Sequence, residues 1–180
     1  MIRGLEPAWP GARAFGLALT VRGAAGDNLA LHRAIAGAPE SVVIVADVQG
    51  GQEAAHCGDV LVRAARARGV DGIVLDGSIR DRAEIRALRY PVFHRGTSPR
   101  GPSKRVAGEV GVPIELLGVT VRPGDVVLAD DDGLVVVPAA DVGDVLAAAT
   151  AIAERERGYE ARLEAGETTL SILGLADAAS

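Results

Sequence analysis

From Phe15 to Arg95, short apolar runs alternate with stretches whose apolar residues recur at helical spacing. That alternation restricts the chain to α/β architectures, in which a sheet is covered by the helices that connect its strands. Phe15–Val21, Ser41–Ala46, Gly72–Leu75 and Pro91–Phe93 read as strands, and Asp27–Ala36, Asp59–Arg68 and Asp81–Leu88 as helices. In the second helix Val60, Leu61, Ala64 and Ala65 share a face that Arg63, Arg66 and Arg68 mostly avoid. Gly69 then stops the helix, because glycine takes a left-handed backbone without a Cβ penalty.

After Pro99 the texture changes. Short β runs are broken at Gly111, Gly118, Pro123-Gly124 and Asp132-Gly133, and Leu134–Val137 reads as a buried strand. An Ala- and charge-rich helix, Asp141–Glu164, leads into a short tail. With no repeat and no long linker, residues 1–180 are expected to form one α/β domain of mixed sheet layers flanked by helices. Residues 1–14 would be an N-terminal extension and 166–180 a C-terminal tail.

A chain of 180 residues can bury a real core, and with aromatics at only 3% that core must be aliphatic. The net charge of −5 argues against nucleic acid, whose phosphates are bound by surplus Lys and Arg. A single cysteine, Cys57, excludes an internal disulfide. No apolar run approaches the roughly 20 residues of a membrane span, and Met1–Pro10 lacks the apolar centre of a signal peptide. A cytoplasmic location is expected.

The stretch from Gly58 to Glu84 carries the chemistry. Asp59 opens a helix, a strand follows, and Leu75-Asp76-Gly77-Ser78-Ile79-Arg80-Asp81 turns into the next helix. Such turns lie at the carboxyl edge of a sheet, where ligands bind. Arg80 can grip a carboxylate with its planar fork, and Asp81 can hold a hard cation directly or through water. A second reading of the same residues is purely structural: Asp81 with Glu84 suits an N-cap and capping-box partner, and Asp59 suits another N-cap.

The spacing of Asp59, twenty intervening residues, Arg80-Asp81, two residues and Glu84 resembles the D-x20-R-D-x2-E pattern of class II pyruvate aldolases. These are the 4-hydroxy-4-methyl-2-oxoglutarate/4-carboxy-4-hydroxy-2-oxoadipate aldolases of the RraA-like family. The resemblance extends through Gly69-Val70-Asp71-Gly72, Pro91-Val92-Phe93, Ser98-Pro99, Lys104-Arg105, Pro123-Gly124-Asp125 and Val135-Val136-Val137-Pro138. It implies a swivelling β/β/α-type domain, assembled as a homotrimer or homohexamer. It also implies substrate binding by Gly58, Asp59, Val60 and Leu61 together with Arg80. The metal, Mg²⁺ or Mn²⁺, would be anchored by Asp81, with Asp59 and Glu84 holding its water shell. The substrate implied is a small 4-hydroxy-2-oxo acid cleaved to pyruvate, with oxaloacetate decarboxylation alongside. The family's regulators of ribonuclease share the fold, typically without the full acidic motif, and provide the alternative: protein–protein binding without catalysis.

Cleaving a carbon–carbon bond beside a 2-oxo group leaves electrons that must be held as an enolate, by a lysine Schiff base or by a metal. The only lysine, Lys104, lies in the polar loop Pro102-Ser103-Lys104-Arg105, so the metal route is favoured. His32, His56 and His94 show no metal-ligand spacing, and a partly exposed structural role is expected for His56. Cys57 should pack as a small apolar residue. Asp130-Asp131-Asp132-Gly133 reads as a β-turn, and Gly50-Gly51 is too short for a phosphate cradle. Arg95, Arg100, Lys104 and Arg105 make a basic loop suited to solvent, an anionic substrate tail or a neighbouring subunit.

Overall fold

The computed structural model describes residues 1–175; the last five residues of the expected tail lie outside them. Its elements run β1 (Glu6–Pro7), β2 (Ala14–Arg22), α1 (Leu29–Gly37), β3 (Val42–Asp47), β4 (Ala55–Cys57), α2 (Asp59–Ala67), β5 (Gly72–Leu75) and β6 (Ser78–Ile79). They continue with α3 (Arg82–Leu88), β7 (Val92–His94), β8 (Gly96–Thr97), β9 (Glu109–Val110), β10 (Ile114–Leu116), β11 (Val119–Val121), β12 (Val126–Asp130) and β13 (Gly133–Val137). A 3₁₀ turn, Ala139–Asp141, precedes α4 (Val142–Glu164) and α5 (Thr169–Ile172). The described chain divides into two compact units, one of Met1–Ala139 and one beginning at Ala140.

The first unit is the mixed α/β fold that the alternating texture implies. Its main sheet runs β1-β7-β5-β3-β2-β12-β13, with β9 also pairing β2. The centre, β2-β3-β5-β7, is parallel, and its flanks are antiparallel. Central strands are covered on both faces, so Val43, Ile44, Val45, Ala46, Ile73, Val74 and Leu75 are all fully buried. Strand β2 shares its outer edge: Ala14–Leu17 pair with β12, whereas Val21 and Arg22 pair with β9. On the outward face of this antiparallel region, Phe15 lies beside Leu128 and Leu128 beside Val135, all three exposed.

A second sheet escapes sequence reading. Strands β4, β6 and β8, of three, two and two residues, form a small parallel sheet in that order. Strands this short show no hydrophobic period, since two residues cannot establish an alternation.

Three expected elements shift at their ends. Helix α1 begins at Leu29 rather than Asp27, with Asn28 at its N-cap, while Asp27 Oδ1 accepts the Leu29 amide and its Oδ2 takes Ser103 Oγ and the Arg105 amide. Helix α2 has Gly58, not Asp59, at its N-cap. Helix α3 has Asp81 at its N-cap, in the left-handed region at φ 55° and with no side-chain cap bond, so the capping-box reading is corrected. Gly69 does end its helix with positive φ, 71°. Asp131 and Asp132 form the turn between β12 and β13, as expected, with the Asp132 amide donating to Asp130 Oδ1.

In the second unit, the 23 residues of α4 present no buried side chain. Arg162 forks onto Glu167 at 2.6 and 2.9 Å, and Thr168 caps α5 by accepting the Ser171 amide.

Candidate active site

The small parallel sheet assembles the site. Its strands end side by side, and each releases a polar segment from its carboxyl end: Gly58-Asp59 after β4, Arg80-Asp81 after β6 and Ser98-Pro99 after β8. Backbone bonds from Arg80 N–H to Cys57 O (2.9 Å) and from Ser98 N–H to Ile79 O (3.0 Å) keep the three exits in register. This is the carboxyl-edge location at which α/β folds bind ligands.

Asp81 turns away from its own helix and toward the neighbouring one. Its Oδ2 accepts the Asp59 amide at 3.2 Å, over the first turn of α2, and lies 3.4 Å from Arg80 Nε. A helix start leaves its first amides without intrahelical partners, so a carboxylate is electrostatically welcome there. The Gly58 cap has no side chain, which leaves the amides of Val60 and Leu61 without a side-chain acceptor at the cap. Val60 is exposed and Leu61 is buried in the core.

Arg80, Asp81 and Arg82, with Thr97, Ser98 and Pro99, line a cavity of about 460 Å³. Side chains of Arg80 and Asp81 are both partly exposed, at 44% and 34%. They are therefore accessible to a ligand while backed by protein. Asp59 points its carboxylate to Arg63, one turn along α2, at 3.3 Å.

The structure thus brings Gly58, Asp59, Arg80 and Asp81 together, and leaves Glu84 on the exposed face of α3. Among the described residues no group of three or more His, Cys, Asp or Glu stands close enough to hold an ion. The donors suit a hydrated hard cation taken by one or two carboxylates, which is how Mg²⁺ is commonly held, rather than a dense protein cage. Thr97 and Ser98 join the cavity without having been singled out as site residues, because only the pairing of β8 with β6 brings them there.

The remaining candidates are structural. His56 is fully buried, not partly exposed: its Nε2 accepts the Gly26 amide at 3.0 Å and its carbonyl accepts Asn28 Nδ2. Burial pushes the His94 ring down to about 4, with Arg82 adding to the effect, so it stays neutral near pH 7. Cys57 packs in the core, where burial pushes its thiol up to about 12. Lys104 is exposed in its loop. No helix among the described residues is long and apolar enough to cross a membrane.

This arrangement of carboxyl-edge loops, an Arg-Asp turn and a mixed sheet defines an α/β protein of the aldolase/RraA kind. Residues 2–136 match the RraA-like family (Aldolase/RraA), and the chain belongs to that family. A Halalkalibacterium halodurans protein, provisionally named a 4-hydroxy-4-methyl-2-oxoglutarate aldolase, is 41% identical over 131 residues. That match covers 73% of this chain but 62% of the relative, so the shared region is less than two thirds of the longer protein. The crystal structure of an uncharacterized protein from Pseudomonas syringae pv. tomato is similar with a TM-score of 0.84 at 30% identity, covering 94% of this chain and 82% of that one. Streptomyces coelicolor RraAS2, described as an unusual member of the RNase ES inhibitor RraA protein family, is similar with a TM-score of 0.79 at 31% identity. That likeness covers 87% of this chain and 81% of RraAS2.

Proposed function

We propose that the protein is a divalent-metal-dependent lyase that cleaves a 4-hydroxy-2-oxo acid by retro-aldol reaction to pyruvate, with oxaloacetate decarboxylation as a simpler activity of the same site. The observation that carries this reading is Asp81. It adopts a left-handed backbone that costs a non-glycine residue energy, and it declines to cap its own helix. Its carboxylate is placed instead beside Arg80 at the mouth of a cavity. A purely structural cap would do neither.

In the proposed reaction Arg80 binds the substrate's carboxylate or 2-oxo oxygen through its guanidinium, and the first-turn amides of α2 add further donors. Removal of the 4-hydroxyl proton lets the C3–C4 bond break, and the electron pair moves through C3 onto the 2-oxo oxygen. Arg80 places positive charge where that oxygen becomes anionic, and such prepositioned charge is usually the largest single contribution to rate. A Mg²⁺ or Mn²⁺ ion held by Asp81, with Asp59 and Glu84 acting through its water shell, would supply Lewis acidity at the same oxygen. Decarboxylation of oxaloacetate makes the same demand without needing a base.

A coupled pyruvate assay on 4-hydroxy-2-oxo acids and on oxaloacetate tests the proposal. Arg80→Ala and Asp81→Ala should each lower kcat about a hundredfold or more, and EDTA should abolish activity that Mg²⁺ or Mn²⁺ restores. Undiminished activity in both variants would end the assignment. The likeness to an RNase ES inhibitor family member supports a second reading, a regulator of ribonuclease that acts by protein–protein binding. That reading requires ribonuclease inhibition insensitive to EDTA and to loss of Arg80 or Asp81.

A further inference from the structure

Asp81 has two places to put its carboxylate. Its sequence context favours the cap of its own helix, with Glu84 as capping-box partner. The structure instead sets it on the Asp59 amide at the start of α2. The backbone makes that choice. A cap residue usually has β-region dihedrals, whereas Asp81 lies in the left-handed region at φ 55° and ψ 40°. A non-glycine residue keeps such a conformation only where its neighbours impose it.

The neighbour before it is fixed by the small sheet, through the Arg80 amide on the Cys57 carbonyl at 2.9 Å. The neighbour after it, Arg82, is fixed by its side chain. Arg82 Nε donates to the Ala8 carbonyl at 3.0 Å and Nη2 to the Pro7 carbonyl at 3.5 Å. Two bonds from one planar fork set orientation as well as position. Among the described residues Arg82 joins no ion pair, so these neutral carbonyls are its anchors.

The carbonyls belong to a firm support. Glu6 and Pro7 pair with β7, and the Ala8 amide donates to the Val92 carbonyl at 2.8 Å. Further back, Ile2 bridges Leu134 of β13, which fastens the segment to both ends of the main sheet. Ile2, Ala8, Trp9 and Ala12 are buried.

We infer that Arg82 is a positioning residue. By clamping the start of α3 to the N-terminal segment, it keeps Asp81 left-handed and its carboxylate on α2, out of the cap of α3. Its bearing on catalysis rests on the reaction proposed above, in which Asp81 holds the metal.

Amide hydrogen exchange, read residue by residue by NMR, tests the clamp directly. In Arg82→Ala the Asp59 amide should exchange about tenfold faster or more, as loss of a hydrogen bond to a charged group predicts. The Ala83 or Glu84 amide should slow as the carboxylate passes to its own helix, and the buried amides of β3 should not change. In an Asp81→Ala background the same substitution should alter neither the Asp59 nor the Glu84 rate. Arg82→Lys, which keeps a donor for one carbonyl, should fall between, and it decides the matter if the alanine variant does not fold. Mn²⁺ affinity, read by electron paramagnetic resonance of the free ion, should drop about tenfold or more in Arg82→Ala. Wild-type exchange at Asp59 in that variant, quickening spread equally over β3, or unchanged affinity in a protein that binds Mn²⁺ overturns the inference. If the wild type binds no Mn²⁺ and forms no pyruvate, the proposed reaction fails, and the exchange rates alone settle the role of Arg82.

Discussion

Gly58 has an extended backbone, φ −143° and ψ −173°, so its dihedrals do not demand glycine. Space does. A Cβ there would lie 2.6 Å from Asp81 Oδ2, 2.9 Å from Arg80 Cγ and 3.0 Å from Arg80 Nε. These atoms belong to side chains and not to backbone, although Arg80 Cγ lies low on its stem, so Gly58→Ala should fold with Arg80 and Asp81 giving way rather than the main chain. It should nonetheless push Arg80 and Asp81 off position, and if they act as proposed, a displacement of about an ångström can cost up to a hundredfold in rate. Pyruvate release assayed beside thermal melting checks this, and an alanine variant with full activity would show that the close packing is incidental. Spacing in the sequence singles out Asp59, Arg80 and Asp81 as candidates, and the fold brings them together, but their packing against Gly58 was not legible there. No pattern of residues announces that a helix cap must lack a side chain so that a neighbouring Arg-Asp pair can close over it.

At the scale of elements, two braces hold the loops that frame the site. The first is Asp27, which tethers the segment after β8 to the start of α1 by accepting Ser103 Oγ at 2.5 Å and the Arg105 amide at 2.6 Å, while also accepting the Leu29 amide at 2.9 Å. Burial alone would raise its carboxyl, but these hydrogen bonds prevail and hold it down to about 2. Since the folded value lies below the unfolded 3.8, the tether's stabilisation is complete above about pH 4 and is lost as pH falls toward 2. Asp27→Asn should accordingly lower stability at pH 7 by about 1–3 kcal/mol, with the gap to wild type closing in acid. Urea unfolding at pH 7 and pH 3 measures it, and a gap that stays constant or widens in acid would refute the role. The second brace is the N-terminal segment. Arg82, next to Asp81, donates from Nε to the Ala8 carbonyl at 3.0 Å, and Trp9 donates to the Tyr90 carbonyl at 2.9 Å beneath the Arg89 guanidinium. The sequence reads most helices and main-sheet strands correctly because each carries its own period. It misreads the role of Asp27 as a helix start and passes over β4, β6 and β8, whose existence depends on partners distant in the chain.

For the molecule as a whole, the exposed face of β2, β12 and β13 is an unusual surface. Phe15 is 66% exposed and Leu17 51%, with Leu128 and Val135 alongside. Apolar patches of this kind ordinarily mark an interface. We propose assembly of copies through this face, as a trimer or hexamer. Sedimentation should report a multiple of the 18.4 kDa chain, and Leu17→Lys with Leu128→Glu should shift it to lighter species. A wild-type protein that sediments as a single chain would rule the assembly out. The same region governs how the molecule can be made. Residues 14–17 are made more than a hundred residues before their ladder partners, residues 126–129. A nascent chain therefore carries an open strand edge beside an aliphatic sheet until residues 126–129 have left the ribosome. Closing so long a loop is slow, and unpaired edges invite other chains to add to them. The topology thus leaves one edge of β2 open to other chains until the segment that pairs with it has been made.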